Sequence, residues 1–134
     1  SAPIAQAAMA DFDDSGWASV QIPHDWAIDL PYDPGSAAPA DGQDDPRAAH
    51  GYKALGRDHP ENSVGWYRRK LAIPADWSGR RLGLTFDGAF RSVIVFLNGV
   101  IVAEHAGGYT PFDVDITDIA RPGEVNWLVV RVDA

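Results

Sequence analysis

The second half of the chain alternates between apolar and polar residues with the period of a β-strand. Within residues 81–87, Leu82, Leu84 and Phe86 alternate with polar or small residues, and residues 112–117 follow the same pattern. A period of two places successive side chains on opposite faces of a strand. These two segments therefore predict antiparallel strands that bury one face and expose the other.

A different pattern covers residues 93–97, which are apolar without interruption. Such a run is typical of a central strand that is covered on both faces. Asn98 and Gly99 follow directly, and residues 100–103 are apolar again. Both Asn and Gly tolerate the positive φ of a type I′ turn, so the sequence predicts a two-residue hairpin between these strands.

Further strands are expected at residues 65–73 and 124–132, with short helical turns at 75–78 and 118–120. Five or six short strands separated by turns indicate an all-β fold, an antiparallel β-sandwich or barrel. A length of 134 residues fits a single domain, which we expect to span the whole chain.

Residues 27–63 differ from the rest, since they are rich in Pro, Gly, Asp and Ala and have no clear periodicity. Loops of this length are usually functional or disordered. Polar groups gather near its end, among them Lys53, Arg57 and Asn62. Cations and an amide could bind the hydroxyls of a polyol, although a solvated loop has a similar composition.

Composition excludes several classes of function. The net charge of -8 argues against a nucleic-acid partner, which would need a basic surface. The absence of cysteine removes disulfides and thiolate chemistry. No apolar run approaches the roughly 20 residues of a membrane span. The compartment is not fixed by these features, and we expect a periplasmic or secreted bacterial protein in preference to a cytoplasmic one.

Metal binding has little support in the sequence. Residues 11–16 imitate the start of a calcium loop, but its twelfth position is Ile22, where a bidentate Glu is needed. A turn or helix cap is the better interpretation. The histidines lack the spacing of a zinc site, and solvated loop carboxylates are the simplest interpretation of Asp41, Asp44 and Asp45. We expect no metal.

Two aromatic features are expected to be structural. His24, Asp25 and Trp26 predict a strand end pinned by a His/Asp network over an indole, because a charged pair beside an indole needs hydrogen-bond partners. The chain has five tryptophans, which is many for its length. In a β-sandwich most of them are expected in the core, and exposed ones would suit a sugar.

Five ordered blocks of sequence carry a family resemblance. They are residues 12–17 with 22–26, residues 60–69 around Gly65-Trp66-Tyr67-Arg68, residues 86–88 with 95–99, residues 107–112 with Asp115-Ile116-Thr117, and residues 122–124 with 129–133. Together they resemble the N-terminal sugar-binding domain of family 2 glycoside hydrolases, of the β-galactosidase type. The resemblance implies a jelly-roll-like sandwich, similar to galactose-binding domains, that packs beside later immunoglobulin-like and TIM-barrel domains.

The same resemblance implies a role in carbohydrate metabolism. Catalysis in this family uses two barrel glutamates, an acid/base and a nucleophile, without a redox cofactor. This chain contains only Glu61, Glu104 and Glu124, and none follows an asparagine as the family's acid/base does. We therefore expect no catalytic residue here, within a parent enzyme that hydrolyses a β-galactoside or related β-glycoside with retention.

The resemblance also suggests where sugar contacts lie. In relatives, the long loop and the end of the last strand reach the barrel mouth. The matching positions here are Lys53, Arg57 and Asn62 in the loop and Asp133 at the strand end. Two alternatives remain open: a carbohydrate-binding module that acts alone, and a purely structural scaffold between domains.

Overall fold

A computed structural model describes residues 6–30, 32–33, 52–53, 60, 62–89, 91–108 and 110–133. The chain divides into two compact units. One unit comprises Ser1–Trp17 and Gly65–Ala134, and the other comprises Ala18–Val64. The region predicted as an irregular loop, residues 27–63, lies within the second unit.

Eight strands, two short 3-10 helices and a helical stretch at residues 6–8 form the regular structure of the described residues. In chain order the strands are β1 (Tyr32–Asp33), β2 (Tyr52–Lys53), β3 (Val64–Ala72), β4 (Gly83–Phe86), β5 (Ser92–Leu97), β6 (Val100–Ala106), β7 (Phe112–Asp115) and β8 (Val125–Asp133). The 3-10 helices are Trp26–Asp29 and Ala75–Trp77. No helix among the described residues is long and apolar enough to cross a membrane.

The strands form three sheets. The largest has the order β3-β8-β5-β6, β4 pairs with β7, and β1 pairs with β2. The pairs β1–β2, β4–β7, β5–β6 and β5–β8 are antiparallel. The prediction of an all-β antiparallel sandwich is confirmed.

The main core lies between the four-stranded sheet and the β4–β7 pair. Leu97, Ile73, Val114 and Ile116 are its buried residues. The alternating side chains of β4 and the segment before it, Leu82, Leu84 and Phe86, pack against them. The period-two interpretation of both segments is therefore confirmed, and the residues between them face outward.

Strand β5 is covered on both faces, as its unbroken apolar run predicts. Val93, Val95 and Leu97 occupy alternate positions and are at most 1% exposed. Phe96, on the opposite face, is buried with Ala8 and Val129 and packs against Trp66. We call this second side of the four-stranded sheet the outer face.

The hairpin between β5 and β6 has the predicted turn. Asn98 has φ 51° and Gly99 has φ 81°, the positive values that a type I′ turn requires. Leu97 pairs with Val100, and the register shifts between Val95 and Phe96. The shift marks a bulge that the sequence pattern did not reveal.

A buried amide joins this hairpin to the turn before β8. Asn126 is fully buried. Its Oδ1 accepts from Asn98 Nδ2 and from the Arg121 N–H, each at 2.8 Å. Its Nδ2 donates to the Arg121 and Glu124 carbonyls at 3.0 and 3.1 Å. An Asn side chain has two donor hydrogens and two acceptor lone pairs, so this one is saturated.

The turn after β7 is held by Asp115 and Thr117. Thr117 Oγ1 donates to Asp115 Oδ1 at 2.6 Å, and the Thr117 N–H donates to the same atom at 2.9 Å. Thr117 Oγ1 also accepts from the Leu82 N–H at 2.9 Å, which ties the turn to the start of β4. These bonds place the buried Ile116 toward the core.

The prediction for the tryptophans is wrong, because none of the five is buried. Trp17 and Trp77 are exposed, at 38% and 45%, and Trp26, Trp66 and Trp127 are half-buried. The physical reason is that smaller Val, Leu, Ile and Phe side chains fill the space between the sheets. Trp66 instead packs on the outer face of the four-stranded sheet.

Replacing Gly99 with Val tests the hairpin. A β-branched residue resists positive φ, and strain of this kind costs about 1–3 kcal/mol. We expect a melting temperature lower by several degrees. Contact with Met9 adds little, since the atom that a new Cβ would approach at 3.1 Å is the sulfur of a flexible side chain.

Gly16→Val is the matched control, because no atom lies within 4 Å of its Cβ position and its φ is not positive. An unchanged melting temperature for Gly99→Val would contradict the assigned turn.

Replacing Thr117 with Val tests the turn after β7. The Thr117 hydroxyl is the main cause that lowers the pKa of Asp115 below its ordinary 3.8, followed by the Thr117 N–H, with a smaller effect of Arg81. A lowered folded-state pKa stabilises the fold above the unfolded pKa, and this contribution is lost as the pH falls through the folded pKa. In Thr117→Val we expect the pKa of Asp115 to rise and the stability that Asp115 loses at low pH to become smaller.

Carboxyl carbon NMR titration measures the effect directly. Thr117→Ser keeps the hydroxyl and should keep the low pKa of Asp115, while Arg81→Gln should change it less than Thr117→Val does. A pKa of Asp115 that is equal in the wild type and Thr117→Val would show that the hydroxyl has no such role.

Candidate functional site

Asp133, predicted to touch a sugar, lies at the end of β8. Its carboxylate accepts from Arg131 Nη2 at 3.3 Å, and the two side chains are 44% and 18% exposed. Its backbone carbonyl accepts from the Arg91 N–H at 3.0 Å. The carboxylate is thus oriented by a neighbouring cation and still reaches solvent, as a ligand-binding group must.

The surroundings of Asp133 follow from the register of the sheet. Asp133 pairs with Ser92, and Arg131 pairs with Ile94. On the other side of β5, Ile94 pairs with Glu104. Because alternate residues share a face, these side chains lie together on the outer face of the sheet.

A shallow cleft of about 320 Å³ lies on β5 and β6 and includes Ser92, the residue that pairs with Asp133. Ser92, Ile94 and Glu104 line it with their neighbours in the two strands. It offers a hydroxyl, a carboxylate and an apolar floor. Sequence reasoning missed Arg131 and Glu104. Strand alternation from Asp133 would have placed Arg131 on this face, but Glu104 reaches it only through the bulge in the β5–β6 pair, which the sequence pattern did not reveal.

In the second unit, Asn62 is joined to Trp26. The indole Nε1 of Trp26 donates to the Asn62 backbone carbonyl at 2.8 Å, and both residues are half-buried. This bond brings together two positions that lie far apart in sequence, and it orders the backbone at Asn62.

The motif of His24, Asp25 and Trp26 begins a 3-10 helix, whereas the sequence predicted a strand end. Asp25 Oδ1 accepts from the Ala27 N–H at 2.9 Å and caps the helix Trp26–Asp29. A cis peptide bond joins Ile22 to Pro23 just before it. Asp25 therefore accepts a hydrogen bond from an N–H at the start of the helix, as an N-cap residue does. An Asp is a preferred N-cap residue, so the sequence itself offered this interpretation.

The remaining predicted residues are described less fully. Lys53 is in β2 and pairs with Tyr32 in β1. The structure describes the backbone of Lys53 and not its side chain. Arg57 lies outside the described residues, as do Asp41, Asp44 and Asp45. Asp133 belongs to the first unit, while Lys53 and Asn62 belong to the second.

Asp13, in the acidic segment at residues 11–16, takes part in a turn. Within the described residues, no three His, Cys, Asp or Glu side chains are grouped closely enough to hold a metal ion. The turn at residues 11–16 is confirmed as such, because Asp13 Oδ1 accepts from the Ser15 N–H at 3.0 Å. A hydrogen bond from the Ser15 hydroxyl is the main cause that lowers the pKa of Asp13, and the bond from the Ser15 N–H lowers it further.

Known proteins resemble this chain over most of its length. A β-galactosidase of Bacteroides ovatus, BoGH2A, is 33% identical over 128 residues, which cover 96% of this chain and 13% of that protein. A β-glucuronidase of Paenibacillus borealis is 41% identical over 79 residues, or 58% of this chain and 13% of that protein. The chain thus spans about an eighth of these curated relatives.

Solved structures agree with the sequence comparison. A glycosyl hydrolase family 2 member from Bacteroides cellulosilyticus has a TM-score of 0.69 and 32% identity, and the match covers 93% of this chain and 15% of that one. The family model for the sugar-binding domain of family 2 glycosyl hydrolases matches residues 50–133. With the sandwich fold and the motifs that build its turns, these findings establish that the chain belongs to the family 2 glycosyl hydrolases, as their sugar-binding domain.

Proposed function

We propose that this chain is the accessory domain of a retaining β-glycosidase, where it contributes contacts to the terminal sugar and supports the catalytic barrel. The observation that carries the proposal is the match across 96% of the chain to only 13% of a β-galactosidase. Because the matching region forms about an eighth of that enzyme and we expect the catalytic glutamates in the barrel, we infer that this domain acts on the substrate through binding.

Asp133 is the best supported contact in the first unit. Its carboxylate is held by Arg131 and is still 44% exposed. A carboxylate accepts hydrogen bonds from sugar hydroxyls, and a charged partner makes such bonds stronger than those between neutral groups. We assign the second contact region to Lys53, Arg57 and Asn62, which supply cationic and amide groups.

A β-galactoside is the proposed substrate of the whole enzyme, and a β-glucuronide is the principal alternative. The relatives include enzymes named for each sugar. A β-glucuronide carries a carboxylate where a β-galactoside carries a hydroxymethyl group, and the two sugars also differ in configuration at C4. Cationic residues near the carboxylate would favour the glucuronide. Neighbouring immunoglobulin-like and TIM-barrel domains are the proposed packing partners.

The central test is steady-state kinetics of the full-length enzyme on nitrophenyl β-galactoside and β-glucuronide. Asp133→Ala, Lys53→Ala, Arg57→Ala and Asn62→Ala each remove one proposed contact. Loss of a hydrogen bond that involves a charged group should lower kcat/KM roughly 10- to 100-fold. Arg80→Ala, which removes an exposed cation from a turn, is the control and should leave kcat/KM unchanged.

Normal kcat/KM in all four variants would show the domain to be a scaffold without sugar contacts.

The 134-residue chain alone should neither turn over these substrates nor bind sugars tightly. Hydrolysis with retention or inversion requires two placed carboxyl groups. A surface that makes a few polar contacts also leaves most of the sugar in water, while association itself costs several kcal/mol. Calorimetric titration with galactose, lactose and glucuronic acid measures the binding, and a sub-millimolar Kd would favour an independent carbohydrate-binding module.

A further inference from the structure

Arg68 is a buried cation on the outer face of the four-stranded sheet. Its side chain is 2% exposed, and its Nε donates to Asp14 Oδ2 at 2.9 Å. Its Nη1 donates to the carbonyls of Ala7 and Met9. One guanidinium thus binds three acceptors in the segment before Ala18, which we call the strap (residues 6–17).

Aromatic rings cover the same guanidinium. Its central carbon lies 5.2 Å from the ring centroid of Phe12, in the strap, and 4.6 Å from that of Trp127, in β8. Cation–π contacts of this length strengthen when the cation is desolvated. Phe12 also makes an edge contact with Trp17, so the packing reaches the end of the strap.

Stability alone does not explain an arginine at this position. Among the described residues, its Nη2 is the one buried side-chain nitrogen or oxygen without a hydrogen-bond partner. A buried unpaired N–H is destabilising, and replacing a buried ion pair with apolar residues of similar volume is often neutral or stabilising. What an apolar residue could not do is bind three acceptors in one fixed geometry.

The position of the pair in the chain gives that geometry a consequence. Asp14 precedes the second unit, Ala18–Val64, and Arg68 follows it. Both residues belong to the first unit. The ion pair therefore joins a residue just before the second unit to a residue just after it.

We propose that Arg68 is a positioning residue, a clamp that holds together the two chain segments that flank residues 18–64, the region that carries the proposed sugar contacts Lys53, Arg57 and Asn62. The placement of sugar contacts in that region rests on the proposed function. The clamp itself rests on the bonds of Arg68 to Asp14, Ala7 and Met9 and can be tested without sugar.

The first experiment compares amide hydrogen exchange in the 134-residue chain and in variants. Asp14→Asn keeps the shape of the partner but removes its charge, and Arg68→Met removes the cation while keeping an unbranched side chain. Loss of a charge-assisted hydrogen bond should raise exchange in the strap on the order of 10- to 100-fold. The reporting amides are those of Met9, Phe12 and Trp17, which donate to strap carbonyls.

The clamp also predicts faster exchange within residues 18–64, with β5 and β8 unchanged. The exchange rates of Arg68→Lys should lie between those of the wild type and Arg68→Met, because Lys keeps the charge and lacks the planar set of N–H donors of the guanidinium. Arg69→Met, at the exposed neighbouring position, is the matched control and should match the wild type. If Arg68→Met does not fold, Asp14→Asn provides the same test with Arg68 in place.

The second experiment measures kinetics of the full-length enzyme with the same substitutions. Looser placement of binding groups should raise KM several-fold with a smaller change in kcat. A merely structural role would lower the amount of active enzyme and leave KM unchanged. The Arg68→Lys variant should recover part of the KM of the wild type.

Unchanged exchange in the strap would overturn the proposal. Faster exchange throughout β5 and β8 would also overturn it, because the ion pair of Arg68 and Asp14 would then stabilise the sandwich as a whole. Selective loosening with an unchanged KM would overturn the positioning role, provided that the Lys53, Arg57 or Asn62 substitutions change kcat/KM. If those substitutions also have no effect, the proposed sugar contacts of the loop have failed, and the exchange data decide the clamp by themselves.

Discussion

The buried amide of Asn126 is the interaction on which the sandwich depends. It accepts two hydrogen bonds and donates two, and its partners belong to two turns, the hairpin after β5 and the turn before β8. The Asn98 side chain continues the network, since its Nδ2 donates to the Ile119 carbonyl and its Oδ1 accepts from the Trp127 N–H. A saturated buried network of this kind fixes one arrangement of its members, because any shift leaves a polar group unpaired.

Asn98 also solves a problem that its own turn creates. A residue with positive φ cannot extend the ladder of β5 in the usual way, yet its N–H donates to the Trp127 carbonyl at 2.9 Å. The Trp127 N–H then binds the Asn98 side-chain oxygen at 3.0 Å in place of a backbone carbonyl. The same residue turns the chain and completes the pairing with β8.

The sequence predicted the strands of the sandwich well because burial on one face imposes a period of two, as Leu82, Leu84 and Phe86 demonstrate. The hairpin was predicted because few residue types accept positive φ. Neither rule predicts the side-chain contacts on the outer face. Arg68 and Arg69, for example, are adjacent arginines that the sequence alone does not distinguish. They differ in the structure only because alternation brings Arg68 beside Trp127 and under the strap.

Prediction of the candidate site was limited for a similar reason. Asp133 could be located from its place in the last strand, but its ion pair with Arg131 and its neighbours on β5 and β6 depend on register. The cap formed by Asp25 depends on a helix of four residues, which is too short to leave a periodic signal. Local chemistry therefore identified candidate residues, and tertiary pairing determined what each of them does.

The turn at Asn98 and Gly99 has a further consequence for the chemical lifetime of the protein. An Asn followed by Gly is prone to deamidation, in which the Gly backbone nitrogen attacks the side-chain carbonyl carbon, closes a succinimide ring and expels ammonia. Here the Asn98 amide is engaged at both its oxygen and its nitrogen, to Trp127, Ile119 and Asn126. Rotation of the side chain toward the Gly99 nitrogen would break those bonds. The folded sandwich thus slows the deamidation of Asn98, and an opened hairpin would deamidate at the rate of a free peptide.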